Sequence, residues 1–317
     1  MIGCFKLVSK ESLRLRIRTL LGNLLMINVD LSEQFIALER AASESPIDNP
    51  LHYVRLAANL FYETFTPAKI VQIVGALERD GYVVILTDLR NYAAPTPTTL
   101  TEKYPGPYFG ELAIALIGKI FGNLQSLPHQ HNGRLFHDVM PIKVFQKKQT
   151  SGSSGVLLEM HTELSFVDVP PEYLLLLCVR EDLAQKAETH LFDSRKAIGK
   201  LDQDTYKCLS SKNYTFKTDD NATSDQGVSS EPVAIIDGAT AKLLRFDVNT
   251  CRPLDEKAQC AVKKLESLLM LEKISLRLKT GQILIADNNR VVHSRGAFSA
   301  SYDGRDRWLK RALIRRH

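Results

Sequence analysis

Gly155-Val156-Leu157-Leu158-Glu159-Met160-His161-Thr162-Glu163 reads as one short strand, Val156–Glu163, that opens after a glycine and closes on polar side chains. Side chains two apart on a strand share a face, so His161 and Glu163 can reach one point. A lone His-x-Glu is commonplace, and a half-exposed strand with polar residues facing water would read the same. Turn-bounded runs of the same kind recur beyond residue 134, at Val139–Phe145, Tyr173–Val179, Lys242–Val248 and Gln282–Ala286. One helix, roughly Asp255–Leu269, interrupts them, with Ala258, Val262, Leu265 and Leu269 on one face. Many short strands between turn signals predict an antiparallel sandwich or barrel, the jelly roll included.

Upstream the texture is helical. Leu31, Phe35, Leu38 and Ala42 recur at helical spacing. Thr66-Pro67 is an N-cap followed by proline at the first helical position; Ile70, Val74 and Leu77 make the apolar stripe, and Asp80-Gly81 ends it. Tyr82-Val83-Val84-Ile85-Leu86 then reads as a buried strand, Asn91–Pro107 as loop, and Gly110–Ile120 as a further helix. The expected fold class is α+β in a single domain over residues 1–317. Residues 1–80 form a mainly helical buttress, and residues 81–317 a double-stranded β-helix (jelly-roll) core with flanking helices. Two polar stretches stand apart. Thr150–Gly155, with its Ser-Gly-Ser-Ser-Gly, is a flexible loop by composition. Lys217–Glu231, within an insert at about 215–232, is either a lid over a site or a plain surface loop. The helical N-terminal part can equally be a homodimer surface.

Bulk composition excludes several classes. Apolar residues make 44% and charged residues 24% of the chain, as in ordinary globular proteins. The net charge of +5 mildly favours anionic ligands. Nucleic-acid binding would call for more basic residues interleaved with aromatics, and Trp308 is the single tryptophan. Five scattered cysteines without a Cys-x-x-Cys pair argue against a disulfide framework or structural zinc, and fit a reducing cytoplasm. No apolar run reaches the roughly 18 residues of a membrane span, and the Arg- and Lys-interrupted N-terminus lacks a secretory h-region.

A third metal-competent side chain lies far downstream. Gln282–Ala286 runs into the turn Asp287-Asn288-Asn289, and Arg290-Val291-Val292-His293 carries a histidine to the rim of the expected barrel. His52, His129, His131, His137, His190 and His317 lack such a strand context; His129 and His131 form a His-x-His in a loop with no carboxylate beside it. Two imidazoles and one carboxylate make the facial ligand set of non-haem Fe(II) oxygenases, which leaves coordination positions open. Beyond His293, Arg307, Leu309, Arg311 and Leu313 alternate onto one strand face. Two arginines on an apolar face need anionic partners. They stand roughly 13 Å apart at the strand rise, so they can serve two different carboxylates.

Leu158–Glu163, Pro170–Arg180 and the tail from His293-Ser294-Arg295 through Arg305-Asp306-Arg307-Trp308-Leu309-Lys310-Arg311 resemble the clavaminate synthase-like group of Fe(II)/2-oxoglutarate oxygenases. That group is related to the taurine dioxygenases and includes hydroxylases of free arginine and asparagine. The resemblance spans residues 80–317. It implies Fe(II) on His161, Glu163 and His293, with 2-oxoglutarate and O2 as cosubstrates. Arg307 and Thr189 would hold the distal carboxylate of 2-oxoglutarate, and Arg311 the α-carboxylate of a free L-amino acid or close derivative. Asp247, Asn249 and Gln130 would contact the rest of that substrate, and Asn249, where arginine hydroxylases have a second acid, speaks against a guanidinium. Glu163 implies hydroxylation or desaturation rather than halogenation. The same chemistry on a sulfonate, a carrier-bound amino acid or a β-lactam precursor is the alternative. A non-catalytic jelly-roll binding module, which would take up no iron, is the competing class.

Overall fold

The computed structural model describes residues 26–316, other than 41–43, 90–93, 101, 127–132, 185, 219–230 and 238–242. Strand β1 (Met26–Val29) leads into helices α1 (Ser32–Arg40), α2 (Pro50–Thr64) and α3 (Pro67–Asp80). The Thr66 hydroxyl caps α3 by accepting from the Lys69 N–H, and Pro67 takes the first position, where an N–H has no intrahelical use. Gly81 ends it at φ +80, where a Cβ would press on the Arg290 and Val291 side chains. Then come β2 (Tyr82–Thr87), α4 (Phe109–Gly118), β3 (Asn123–Leu124), β4 (His137–Val139) and β5 (Leu158–His161). Next are β6 (Tyr173–Arg180), β7 (Thr189–Asp193), α5 (Ser194–Ile198), α6 (Gln203–Leu209), β8 (Tyr214–Phe216), β9 (Ile236–Asp237) and β10 (Leu243–Leu244). β11 (Cys251–Pro253), α7 (Glu256–Met270), β12 (Lys273–Leu276), β13 (Gln282–Asp287), β14 (Val291–Arg295) and β15 (Trp308–Arg315) complete the order.

Two sheets carry the architecture. The larger has seven strands in the order β1-β2-β13-β6-β15-β3, with β4 also on β15; the smaller has four, β12-β7-β14-β5. β6 explains why its sequence is a continuous apolar run rather than an alternating one. Leu175, Leu177 and Val179 point into a core shared with α1–α4, whereas Leu174, Leu176 and Cys178 point into a second core shared with β7, β14 and α5–α7. A strand buried on both faces has no polar side to show. β13 divides in the same way, with Ile283 and Ile285 on the helical side and Leu284 and Ala286 on the other. Each such leucine or isoleucine contributes about 1.5–3 kcal/mol by leaving water. α7 turns Ala258, Ala261, Leu265 and Leu269 into the second core. No helix among the described residues is long and apolar enough to cross a membrane.

Several expectations need correction. Before residue 81 the described part holds, beside α1–α3, one strand that was not expected: β1 pairs in parallel with β2, and at four residues its pattern is too short to show a period. Val139–Phe145 is not one strand. β4 stops at Val139, Pro141 has no N–H for a ladder, and residues 143–145 form a 3-10 turn. Of Lys242–Val248, whose first residue lies outside the described part, only β10 is strand; the Asp247 carboxylate accepts from the Asn249 and Thr250 N–H groups and turns the chain. Thr150–Gly155 is not a loose loop: Thr150, Ser153 and Ser154 are buried, and the segment wraps the Arg295 guanidinium, which donates to Ser153 Oγ at 2.8 Å. The insert starts later than expected. Tyr214–Phe216 pairs with β11, and Tyr214 also bridges to Val233; residues 219–230 lie outside the described part, as do Gln130, His129, His131 and Ala42.

Candidate metal centre and active site

β14 is an inner strand of the smaller sheet and β5 pairs along its edge, with His293 directly opposite His161. The two rings lie 4.2 Å apart between centroids. Glu163 is not on the strand, contrary to the same-face expectation. β5 ends at His161, and Glu163 sits in the turn beyond it. Asn288 holds that turn. Its side-chain oxygen accepts from the Glu163 N–H at 2.7 Å, and its amide nitrogen donates to the carbonyls of Glu163 and Pro171 at 3.0 and 2.9 Å. Asn288 lies in the turn between β13 and β14, so the hairpin that presents His293 also fixes the main chain of Glu163.

One ligand atom from each of His161, Glu163 and His293 falls within 4.8 Å of the others. Glu163 Oε1 is 3.4 Å from His293 Nε2. The Nδ1–H of His161 donates to the Glu159 carbonyl at 2.7 Å, which leaves Nε2 with a free lone pair. Burial, reinforced by the neighbouring His161, pushes the His293 pKa down to about 4, so its ring is a neutral donor near pH 7. Burial opposes ionisation of Glu163, but Arg311 and the two histidines outweigh it and hold the carboxyl well below the usual carboxylate range. Two imidazoles and one carboxylate, converging with Glu163 and His293 buried and His161 half-buried, fit a divalent iron. His293 Nδ1 is buried with no hydrogen-bond partner among the described residues.

One cavity gathers the remaining candidates. Thr189, Asp247, Asn249, Arg307 and Arg311 all line it together with the three ligands. Arg307 is 6% exposed. Its Nη2 donates to Thr189 Oγ1 at 3.3 Å, and it forms no ion pair among the described residues. Burial pulls its pKa below the usual guanidinium range. Arg295 is also buried and pushed down to about 9, by burial and then by Arg307 nearby. Its donors, however, are taken by Ser153, by the Ser151 carbonyl at 3.4 Å and by the Val156 carbonyl at 3.3 Å. Arg311 Nη1 reaches Glu163 Oε2 at 3.1 Å. One oxygen of Asp247 is spent on its own turn.

Sequence reading passed over two histidines. His137 lies on β4 and His190 on β7, so both have the strand context denied to them. His190 faces Ser275 at 3.0 Å and does not line the cavity, whereas His137 touches Arg311. Asn288 was read only as a turn residue; its spacing from Glu163 in the chain gives no signal of their contact.

Residues 110–313 match the taurine catabolism dioxygenase TauD, TfdA family. The chain is 29% identical over 226 residues to an L-lysine 3-hydroxylase of Catenulispora acidiphila, covering 69% of this chain and 63% of that one. It is 30% identical over 245 residues to clavaminate synthase 2 of Streptomyces clavuligerus, covering 74% of each. The fold superposes on an asparagine oxygenase solved with Fe(II), 2S,3S-3-hydroxyasparagine and succinate, at a TM-score of 0.80 and 24% identity over 91% of this chain and 93% of that one. The matched span runs from α4 into β15 and so takes in every described candidate of the cavity; the chain belongs to the TauD, TfdA dioxygenase family.

Proposed function

We propose that this protein is an Fe(II)- and 2-oxoglutarate-dependent dioxygenase that hydroxylates an unactivated C–H bond of a free L-amino acid or close derivative. The observation that carries the reading is Arg307, a buried guanidinium without a carboxylate partner among the described residues, in the same cavity as the His161, Glu163 and His293 cluster. An unpaired buried charge is costly, and a dicarboxylate that also reaches the metal relieves it. Bound at the three ligands, Fe(II) with 2-oxoglutarate supplies O2-dependent oxidation of a C–H bond, with succinate and CO2 as co-products.

The protein's part is binding, orientation and exclusion of water. Arg307 grips the distal carboxylate of 2-oxoglutarate through its planar fork, and the Thr189 hydroxyl sets the angle of that fork. Arg311 anchors the α-carboxylate of the amino acid. Asp247 and Asn249 meet its side chain, and Gln130 is assigned to the same substrate by resemblance. The two sheets are read as the halves of a double-stranded β-helix within one domain over residues 1–317, with the helices α1–α3 as its N-terminal buttress. The described cysteines, all free thiols, favour the cytoplasm.

The test is a substrate screen with Fe(II), ascorbate and 2-oxoglutarate, read by succinate release and by mass spectrometry for the gain of one oxygen atom. Lysine, ornithine, arginine and asparagine come first. Stimulated succinate release with a hydroxylated product supports the reading. Release only with a sulfonate or a carrier-bound amino acid moves the substrate class. A protein that takes up no iron under anaerobic reconstitution overturns the whole assignment.

A further inference from the structure

His137 stands directly opposite Arg311, in the register that pairs β4 with β15. Its Nδ1 lies 3.2 Å from Arg311 Nε and 2.9 Å from Arg311 Nη2. A guanidinium has only donors, so Nδ1 must be the bare ring nitrogen. Nε2 then carries the proton and donates it to the Arg134 carbonyl at 2.8 Å. The ring is therefore neutral and fixed in one tautomer from both sides. The next residue, Asp138, faces the opposite way and accepts from Trp308 Nε1 at 2.7 Å and Lys310 Nζ at 2.6 Å. β4 is only three residues long, yet it is tied to β15 through both faces. His137, 2% exposed, has no room to swing.

We propose that His137 is a positioning residue that aims Arg311 at the carboxylate of the substrate. It occupies the Nε and Nη2 side of the guanidinium and leaves Nη1 turned toward Glu163 and the cavity. An arginine side chain loses considerable rotamer entropy on being ordered, so a pre-set fork binds its anion more tightly than a free one. The neutrality of the holder matters as much as its place. A carboxylate at position 137 would add a second negative charge to the one that Glu163 already sets against Arg311, whereas an imidazole fixes the fork without adding charge. The proposal rests on the reading of Arg311 as the substrate anchor.

The experiment compares His137→Phe, which keeps the bulk of the ring and removes the acceptor, with His137→Asn, which keeps an acceptor oxygen near the place of Nδ1. The first readout needs no substrate: the Nε–H signal of Arg311 in spectra of 15N-arginine-labelled protein, identified by its loss in Arg311→Lys. The signal is expected to be protected from exchange in the unaltered protein and in His137→Asn, and to lose protection in His137→Phe. The second readout is kinetic, on the amino acid that the succinate screen identifies. KM for that amino acid is expected to rise about 10- to 100-fold in His137→Phe, the worth of a charge-assisted hydrogen bond, with KM for 2-oxoglutarate unchanged and most of the loss recovered in His137→Asn. An unchanged Arg311 signal in folded His137→Phe overturns the proposal, and so does a parallel rise of both KM values. If His137→Phe does not fold, His137→Ala with added imidazole decides in the same way, with restored protection of the signal supporting the proposal and no restoration overturning it. If no amino acid stimulates succinate release, the functional reading fails on its own, and the Arg311 signal still decides whether His137 holds the fork.

Discussion

Two buried cations at β15 are treated in opposite ways, Lys310 on the strand and Arg307 just before its start; Arg311, on the cavity side, lies between them in character, with Glu163 at 3.1 Å. On the helical side, Lys310 is 2% exposed and meets Glu111 at 2.7 Å, Asp138 at 2.6 Å and the Tyr104 hydroxyl. The rings of Tyr104 and Trp308 lie 4.3 and 4.7 Å from its Nζ. On the cavity side, Arg307 has one hydroxyl partner at 3.3 Å. Burial works against charge at both residues. Asp138 and Glu111 outweigh it and raise the Lys310 pKa, whereas nothing comparable offsets it at Arg307, whose pKa falls. Lys310, enclosed by two carboxylates of its own, is tied into the scaffold; Arg307, without one among the described residues, is the cation whose burial a bound dicarboxylate would relieve.

Four substitutions sharpen or break this contrast. Lys310→Met strands two buried carboxylates and should cost about 3–5 kcal/mol of stability, read as a fall in Tm and in the urea midpoint. A loss below 1 kcal/mol would mean that the back cluster is not structural. Arg307→Met should do the reverse, leaving Tm unchanged or raised while binding of 2-oxoglutarate weakens by about 2–5 kcal/mol, measured anaerobically from the visible band of the Fe(II) complex. If Tm drops with Arg307 as it does with Lys310, the two cations are not different in kind. Thr189→Val should raise KM for 2-oxoglutarate by roughly 3- to 10-fold, the size of a neutral hydrogen bond, with KM for the amino acid unaffected. Tyr104→Phe removes one hydroxyl that contacts both Lys310 and Glu111 and should cost about 1 kcal/mol of stability, with kinetics unchanged.

What the sequence made legible follows the range of the interactions involved. α3 could be read to its ends because Thr66, Pro67 and Gly81 act on their own neighbours. β6 and β13 could be read because burial on both faces leaves an unbroken apolar run. The face of β15 that carries Leu309, Arg311 and Leu313 followed from simple alternation; Arg307 precedes the strand, and it lines the cavity together with Arg311. The failures are long-range. Thr150–Gly155 looked flexible because its serines and glycines gave no hint of Arg295, whose contact with Ser153 spans 142 residues of chain. His137 was set aside as lacking a strand context, because its partner is 174 residues away. Glu163 reached the ligand cluster by a route that strand periodicity does not describe: a turn, pinned by a side chain 125 residues downstream.

That pinning has a wider consequence. Asn288 joins the main chain of one candidate ligand to the hairpin that presents another, and the third candidate is the direct cross-strand neighbour of the second. The triangle of donors is thus a single stiff part, and it is joined to the turn of Asp247 and Asn249, because Asp247 bridges to His161 and the Val248 N–H donates to the Met160 carbonyl at 3.1 Å. A chain can retool for a new substrate there by exchanging side chains, whereas a shift of that turn's backbone would put the oxidising machinery out of calibration.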